Sequence, residues 1–166
     1  MILNLRELLS KGHVVTFQEH FDMQSVFEDC HEFRLSQAVD VDITASHQTG
    51  TVWVTGTMTA PLLLQCSKCL KHFEQTMQFS VKEGFTQDTE IVRKNEELHF
   101  IAEDRIDFVP YLRDIVIVNL PLASVCHKDC QGLCSECGVD RNLMKCECVQ
   151  QLINPRMEAL KNFFET

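Results

Sequence analysis

Val52-Trp53-Val54-Thr55-Gly56-Thr57-Met58-Thr59-Ala60-Pro61-Leu62-Leu63-Leu64-Gln65-Cys66-Ser67-Lys68-Cys69 reads as a strand that runs straight into a pair of thiols. Val52, Val54 and Met58 face one side, and Trp53, Thr55, Thr57 and Thr59 face the other with Thr51, the two-residue period of a half-buried strand. Upstream, Val39, Val41, Ile43 and Ala45 alternate with Asp40, Asp42 and Thr44, and Gln48-Thr49-Gly50 supplies a turn between the two runs. Downstream, Phe73, Met77, Phe79 and Val81 restart the alternation after Cys69. Together these predict an antiparallel meander of about three strands, with the C-x2-C pair at the turn between the second and third.

The flanks are less regular. Ile2, Leu5, Leu8 and Leu9 have helical spacing up to Gly12, although so short a stretch also suits a strand; Val14, Val15 and Phe17 suggest another strand. The stretch 83–107 holds eight acidic residues against Arg93, Lys94 and Arg105, and reads as an acidic, mobile loop with one short strand at 98–101. It is either a solvated insertion or a contact surface for a basic partner such as a ribosomal protein. Asp107 is placed to cap a helix through Val109, Leu112, Ile115, Val116 and Asn119, with Pro110 in its first turn. Asn154-Pro155 opens a final helix with Met157, Leu160 and Phe164 on one face.

The strongest chemical signal is Cys126-His127-Lys128-Asp129-Cys130-Gln131-Gly132-Leu133-Cys134-Ser135-Glu136-Cys137-Gly138, followed by Cys146-Glu147-Cys148. With Cys66 and Cys69, eight of the nine cysteines sit in close pairs. Two cysteines on one tight turn can offer both sulfurs to a single zinc ion. Disulfides are the alternative use of cysteine. The odd count, the C-x2-C pairs and an opening stretch that carries Glu7 inside its apolar run point instead to reduced thiols in the cytosol, without a signal peptide. No run reaches the roughly 18 apolar residues of a membrane span. The formal charge of −9 argues against a general nucleic-acid coat protein, and no DNA partner is expected. A zinc ion held by four thiolates adds a net charge of about −2, so metal makes the chain still more acidic. Any RNA contact must be local or made through a partner.

Gln65-Cys66-Ser67-Lys68-Cys69-Leu70, Phe73 opening a strand, the acidic stretch, the helix ending Asn119-Leu120-Pro121-Leu122, the C-x3-C-x-G-L-C-x2-C-G run and Asn154-Pro155-Arg156-Met157-Glu158-Ala159-Leu160-Lys161 occur here in one order. That order resembles the YceD family, the large ribosomal RNA subunit accumulation proteins, along the whole chain. The resemblance implies a bacterial cytoplasmic protein with plastid relatives, needed for normal levels of large-subunit ribosomal RNA. It implies no catalytic motif.

Two partitions of the thiols are open. In the first, Cys66 and Cys69 join Cys126 and Cys130, while Cys134 and Cys137 join Cys146 and Cys148 in a ribbon-like pattern. The second set lies within 15 residues, so closing it costs little chain entropy. In the rival, Cys66 and Cys69 face Cys134 and Cys137, and the other four are spare or second-site ligands. His72 and His127 are either substitute ligands or exposed neighbours. A redox C-x2-C needs a helix N-terminus, and catalytic zinc usually has histidine or carboxylate ligands and an open position, so thiol-only sets favour structural zinc. Cys30, beside His31, is expected to be an unremarkable free thiol. No phosphate loop, H-E-x-x-H or G-x-S-x-G is present. Lys68, Lys71 and His72, with Lys128, Arg141 and Lys145, would form a small basic patch if the two zinc sites adjoin.

The expected architecture is α+β. An antiparallel sheet carries the first zinc knuckle within a body at 1–125, helices flank it, and a zinc-ribbon-like element with a terminal helix occupies 126–166, the two forming one folded unit. The expected function is that of a non-enzymatic factor, stabilised by two zinc ions, that supports accumulation or processing of large-subunit ribosomal RNA through ribosomal RNA, a ribosomal protein or an assembly factor. The alternative is an RNA-processing or thiol-redox enzyme built on the C-x2-C pairs.

Overall fold

A computed structural model of the chain describes residues 1–4, 8, 14–30, 33–95 and 97–148. The elements run β1 (Ile2–Asn4), β2 (Val15–Phe21), a 3-10 turn (Gln24–Phe27), β3 (Phe33–Leu35), β4 (Val39–Gln48), β5 (Thr51–Gln65), β6 (His72–Thr86), α1 (Thr89–Lys94), β7 (Leu98–Phe100), β8 (Arg105–Asp107) and α2 (Val109–Asn119). Strand dominates among the described residues, where the longer helical elements are α2 with 11 residues and α1 with six.

The meander forms because its sequence alternates. β4 buries Val39, Val41, Ile43 and Ala45 and leaves Asp40 and Asp42 in solvent. A two-residue turn with positive φ at Thr49 (48°) and Gly50 (78°) folds β4 onto β5, since such a turn matches the right-handed twist of the strands. β5 and β6 then pair over their full length, from Thr51 against Thr86 to Gln65 against His72. Val52, Val54, Met58, Ala60, Leu62 and Leu64 line the buried side of β5. Thr51 departs from the expected pattern: it is buried opposite Thr86, whose Oγ1 donates to the Gly50 carbonyl at 2.8 Å.

The six-stranded sheet has the order β2-β4-β5-β6-β7, with β3 on the stretch of β5 beyond the end of β4. A second ribbon pairs β1 with β8. Leu3, Ile106, Phe108, Leu112, Ile115 and Val116 join the sheet's apolar face in one core, and α2 packs on β6 and on the 3-10 turn. Phe85 sits at its centre, edge-on to Phe108 at 5.9 Å and to Tyr111 at 5.0 Å between ring centroids.

The stretch 83–107 is not an irregular loop. β6 continues to Thr86, α1 is capped by Asp88, whose side chain accepts from the Glu90 N–H, β7 adds parallel to β6, and β8 pairs with β1. Counting charge hid this, because Phe85, Leu98 and Ile106 are buried between acidic residues that face out. Glu83 is tied down as well, with its Oε2 2.8 Å from His99 Nε2. At the N-terminus, residues 2–4 form a strand, the alternative that so short a stretch allowed, and Leu8 is helical and buried; 5–7 and 9–13 lie outside the described residues. Asp107 Oδ1 accepts from the Val109 N–H at 3.1 Å, while Phe108 occupies the cap position. The final helix expected after Asn154-Pro155 lies outside the described residues.

Candidate metal centres

The register of β5 and β6 leaves 66–71 as the loop that joins them. In it the Cys66 N–H donates to the Lys71 carbonyl at 2.9 Å and the Leu70 N–H donates to the Cys66 carbonyl at 2.9 Å. The second C-x2-C has the same frame. The Cys134 N–H donates to Val139 at 2.8 Å and the Gly138 N–H donates to Cys134 at 2.9 Å. In both, the residue after the second cysteine is left-handed, Leu70 with φ 60° and Gly138 with φ 72°. This tight reversal turns both thiols of a pair, and several N–H groups, toward one point.

The chain leaving α2 meets the first knuckle, where the Ser67 N–H donates to the Ser124 carbonyl at 2.8 Å. Cys126 and Cys130 thereby reach Cys66 and Cys69. Cys66 Sγ lies 3.9 Å from Cys130 Sγ, and Cys69 Sγ lies 3.7 Å from Cys126 Sγ. A tetrahedron with metal–sulfur bonds of about 2.3 Å has edges of about 3.8 Å, which these two separations match. All nine cysteines are free thiols. Cys134, Cys137, Cys146 and Cys148 form the other set, and within each set the four sulfurs lie within 4.8 Å of one another. Among the described residues no such group joins Cys66 and Cys69 to Cys134 and Cys137, or includes His72 or His127.

The sets differ in shelter. Cys66, Cys69 and Cys130 are buried with Phe73 and Val125 packed on them, whereas in the second set only Cys134 is buried and Cys137 is exposed. Burial opposes ionising the Cys66 thiol, yet the backbone N–H groups of Cys126, Cys69 and Lys68 outweigh it and bring its pKa down to about 6. The N–H groups of Cys137 and Glu136 do the same for Cys134, also to about 6. Cys126 is pushed up to about 12, first by burial and then by the hydrogen bonds its thiol shares with Cys130, Cys66 and Cys69. Cys148 is pushed up to about 12, first by its bond to the Cys137 thiol and then by burial. Each set therefore has one thiol poised as a thiolate and another that keeps its proton. A cation that takes all four sulfurs must displace such protons.

The two sets adjoin. The Leu133 N–H donates to the Lys68 carbonyl at 2.9 Å, and Gly132, with φ 72°, passes so close that an added Cβ would lie 2.9 Å from that oxygen. Two of the six residues of the expected basic patch are engaged in this joint. Lys68 Nζ donates to the Cys130 carbonyl at 3.3 Å, and Lys71 Nζ pairs with Asp140 Oδ2 at 2.6 Å. Lys128, Arg141 and Lys145 stay exposed, and Arg141 and Lys145 line a groove with Gln131, Cys146 and Cys148. Sequence reading missed Asp140 and Asn142. Asn142 Nδ2 lies 3.5 Å from Cys130 Sγ, and its Oδ1 accepts from the Gln131 N–H at 2.8 Å. The available signal was a pair of turn-forming residues between two ligand pairs. Cys30 is half-buried beside a shallow cavity lined by Phe27, Glu28 and Arg34, and His31 lies outside the described residues.

Comparison with known proteins gives the chain its relatives. It is 32% identical over 104 residues to an uncharacterized protein of Mycobacterium tuberculosis, which covers 61% of this chain and 50% of the relative. It is 25% identical over 114 residues to the uncharacterized protein YlbN of Bacillus subtilis, 66% of this chain and 64% of that one. An Arabidopsis thaliana protein named large ribosomal RNA subunit accumulation protein YCED homolog 1, chloroplastic, is 35% identical over 54 residues, 32% of this chain and 17% of its own length. The chain thus spans about half the length of the mycobacterial relatives it matches. No solved structure matches it. The family model described as large ribosomal RNA subunit accumulation protein YceD matches residues 54–164, which hold both knuckles and all eight clustered thiols, and the chain belongs to the YceD family.

Proposed function

We propose that this protein is a zinc-stapled, non-enzymatic factor that supports accumulation of large-subunit ribosomal RNA. The observation that carries the zinc half is the pair of four-thiol sets, each with its sulfurs within 4.8 Å and none with a histidine or carboxylate among its members. Such sets suit closed, structural zinc, with Cys66, Cys69, Cys126 and Cys130 holding one ion and Cys134, Cys137, Cys146 and Cys148 the other in a ribbon-like element. The ribosomal half is supported by the family description and by the names of the plant relatives. The partner is ribosomal RNA, a ribosomal protein or an assembly factor, met in the compartment where large subunits are built. No helix among the described residues is long and apolar enough to cross a membrane. The first knuckle lies in a hairpin rather than at a helix N-terminus, which weighs against redox catalysis.

The test is genetic and chemical together. The gene is deleted, the ratio of large- to small-subunit ribosomal RNA is measured, and wild type and the Cys66→Ser, Cys69→Ser double variant are returned. The ratio should fall and recover only with wild type. An unmoved ratio would remove the ribosomal half. Purified protein with less than one zinc per chain, and no uptake of added zinc, would remove the metal half.

A further inference from the structure

Cys130 and Cys134 belong to different thiol sets, yet only Gln131, Gly132 and Leu133 separate them. Asn142 lies in the loop between the two ligand pairs of the second set. Its amide N–H reaches Cys130 Sγ of the first set at 3.5 Å, while its carbonyl oxygen takes the Gln131 N–H at 2.8 Å. The same amide is steered by Asp140, whose Oδ1 accepts from Asn142 Nδ2 at 2.7 Å and from the Asn142 backbone N–H at 2.9 Å. Asp140 also grips Lys71, next to the first knuckle, at 2.6 Å. The loop of the second set is therefore folded against a sulfur of the first.

We propose that the two metal centres load as a coupled pair and that Asn142 is the positioning residue that links them. This rests on the metal reading above. Cys134, Cys137, Cys146 and Cys148, already gathered within 4.8 Å, would hold a metal there, and its bonds to all four would fix the loop that carries Asn142. The fixed amide then stabilises the negative sulfur of Cys130, as donors to metal-bound ligands do. The coupling is reciprocal, because any aid the second site gives the first is returned by the same factor.

The experiment titrates the full chain with cadmium-113 against a competing chelator and follows the resonance of each site. Four proteins are compared: wild type, Asn142→Ala, the Cys146→Ser, Cys148→Ser variant, and the combination. Losing the second site should weaken cadmium binding at the first by about 10- to 100-fold. Asn142→Ala should give a similar loss, and the combination should be no worse than either alone. Asn142→Asp keeps the acceptor for Gln131 but has no N–H for the sulfur. It should weaken the first site and shift its resonance while the circular dichroism of the fold stays unchanged. Two ions bound with full, independent affinity, or losses that simply multiply in the combination, would overturn the coupling and leave the metal reading intact. A chain that takes up no cadmium would overturn both.

Discussion

Two glycines in the second knuckle share a backbone angle and differ in surroundings, which isolates the cost of joining the two sites. Gly132 and Gly138 both have φ 72°. An alanine at either must occupy the left-handed region, at about 1–2 kcal/mol, partly offset by about 0.4–1 kcal/mol from a less flexible unfolded chain. At Gly138 nothing lies within 4 Å of the new Cβ, so that is the whole effect. Leu70 shows that the equivalent position of the first knuckle already carries a side chain at φ 60°. At Gly132 the new Cβ would stand 2.9 Å from the Lys68 carbonyl oxygen and 3.2 Å from Lys68 Cβ. Backbone cannot swing aside as a flexible side chain can. The knuckles must part by some tenths of an ångström and strain the 2.9 Å bond from Leu133 to Lys68. Overpacking of this kind costs about 1–3 kcal/mol, and a weakened hydrogen bond about 1 kcal/mol. Gly132→Ala should thus be about 2–4 kcal/mol worse than Gly138→Ala. At about 2–4 °C per kcal/mol, its melting point in zinc-saturated buffer should lie roughly 4–16 °C lower. Equal melting points, or a larger loss at Gly138, would refute the close approach of the two sites.

Removing the metal should matter more than any side chain. Structural zinc can contribute on the order of 10 kcal/mol, the size of a whole net folding stability, so excess chelator or Cys66→Ser should collapse the cooperative thermal transition; an unchanged melt counts against structural metal. Phe85→Ala empties the centre of the aromatic core, where Phe85 is fully buried, and should cost about 3–5 kcal/mol by urea denaturation without changing zinc stoichiometry. Burial, then the charges of Glu83 and Asp114, raise the Tyr111 pKa above its ordinary value of 10.0. Its folded pKa is the higher one, so the stabilisation is complete below pH 10 and is lost as pH rises through the folded pKa. Stability measured from pH 9 to 11 should fall less steeply for Tyr111→Phe than for wild type, and identical slopes would show that Tyr111 is not the group responsible.

The meander was legible because Val39 to Ala45 and Val52 to Met58 alternate with polar residues that need water, and only one register buries the apolar set. The convergence of Cys134, Cys137, Cys146 and Cys148 was legible from their separation along the chain. The gathering of Cys66 and Cys69 with Cys126 and Cys130 was left open by spacing and is seen only once β5, β6 and α2 are placed. Apart from the strand expected at 98–101, which is found at Leu98–Phe100, the 83–107 stretch was misread because net charge averages over positions, whereas folding sorts them. Phe85, Leu98 and Ile106 suffice to dock a segment whose other side chains are acidic. The pairing of β1 with β8 spans about 100 residues, and no local pattern announces so distant a partner. Asn142 was invisible for another reason: a residue that donates to a clustered thiol needs no fixed spacing from it.

The tie between Cys66 and Cys130 spans 64 residues, and this sets an order of events during synthesis. The first knuckle emerges with half of its thiol set and must wait for Cys126 and Cys130. At roughly 5–20 residues per second, that interval lasts about 3–13 s. The second set then follows within a second or a few, since all its members lie in 134–148. On a nascent chain the hairpin thiols are thus unsheltered and lack half of their set for most of the time that β6, α1, β7, β8 and α2 take to be made. Any agent that traps or oxidises them then competes with completion of the buried site, and its damage depends on translation speed rather than on the finished protein's stability.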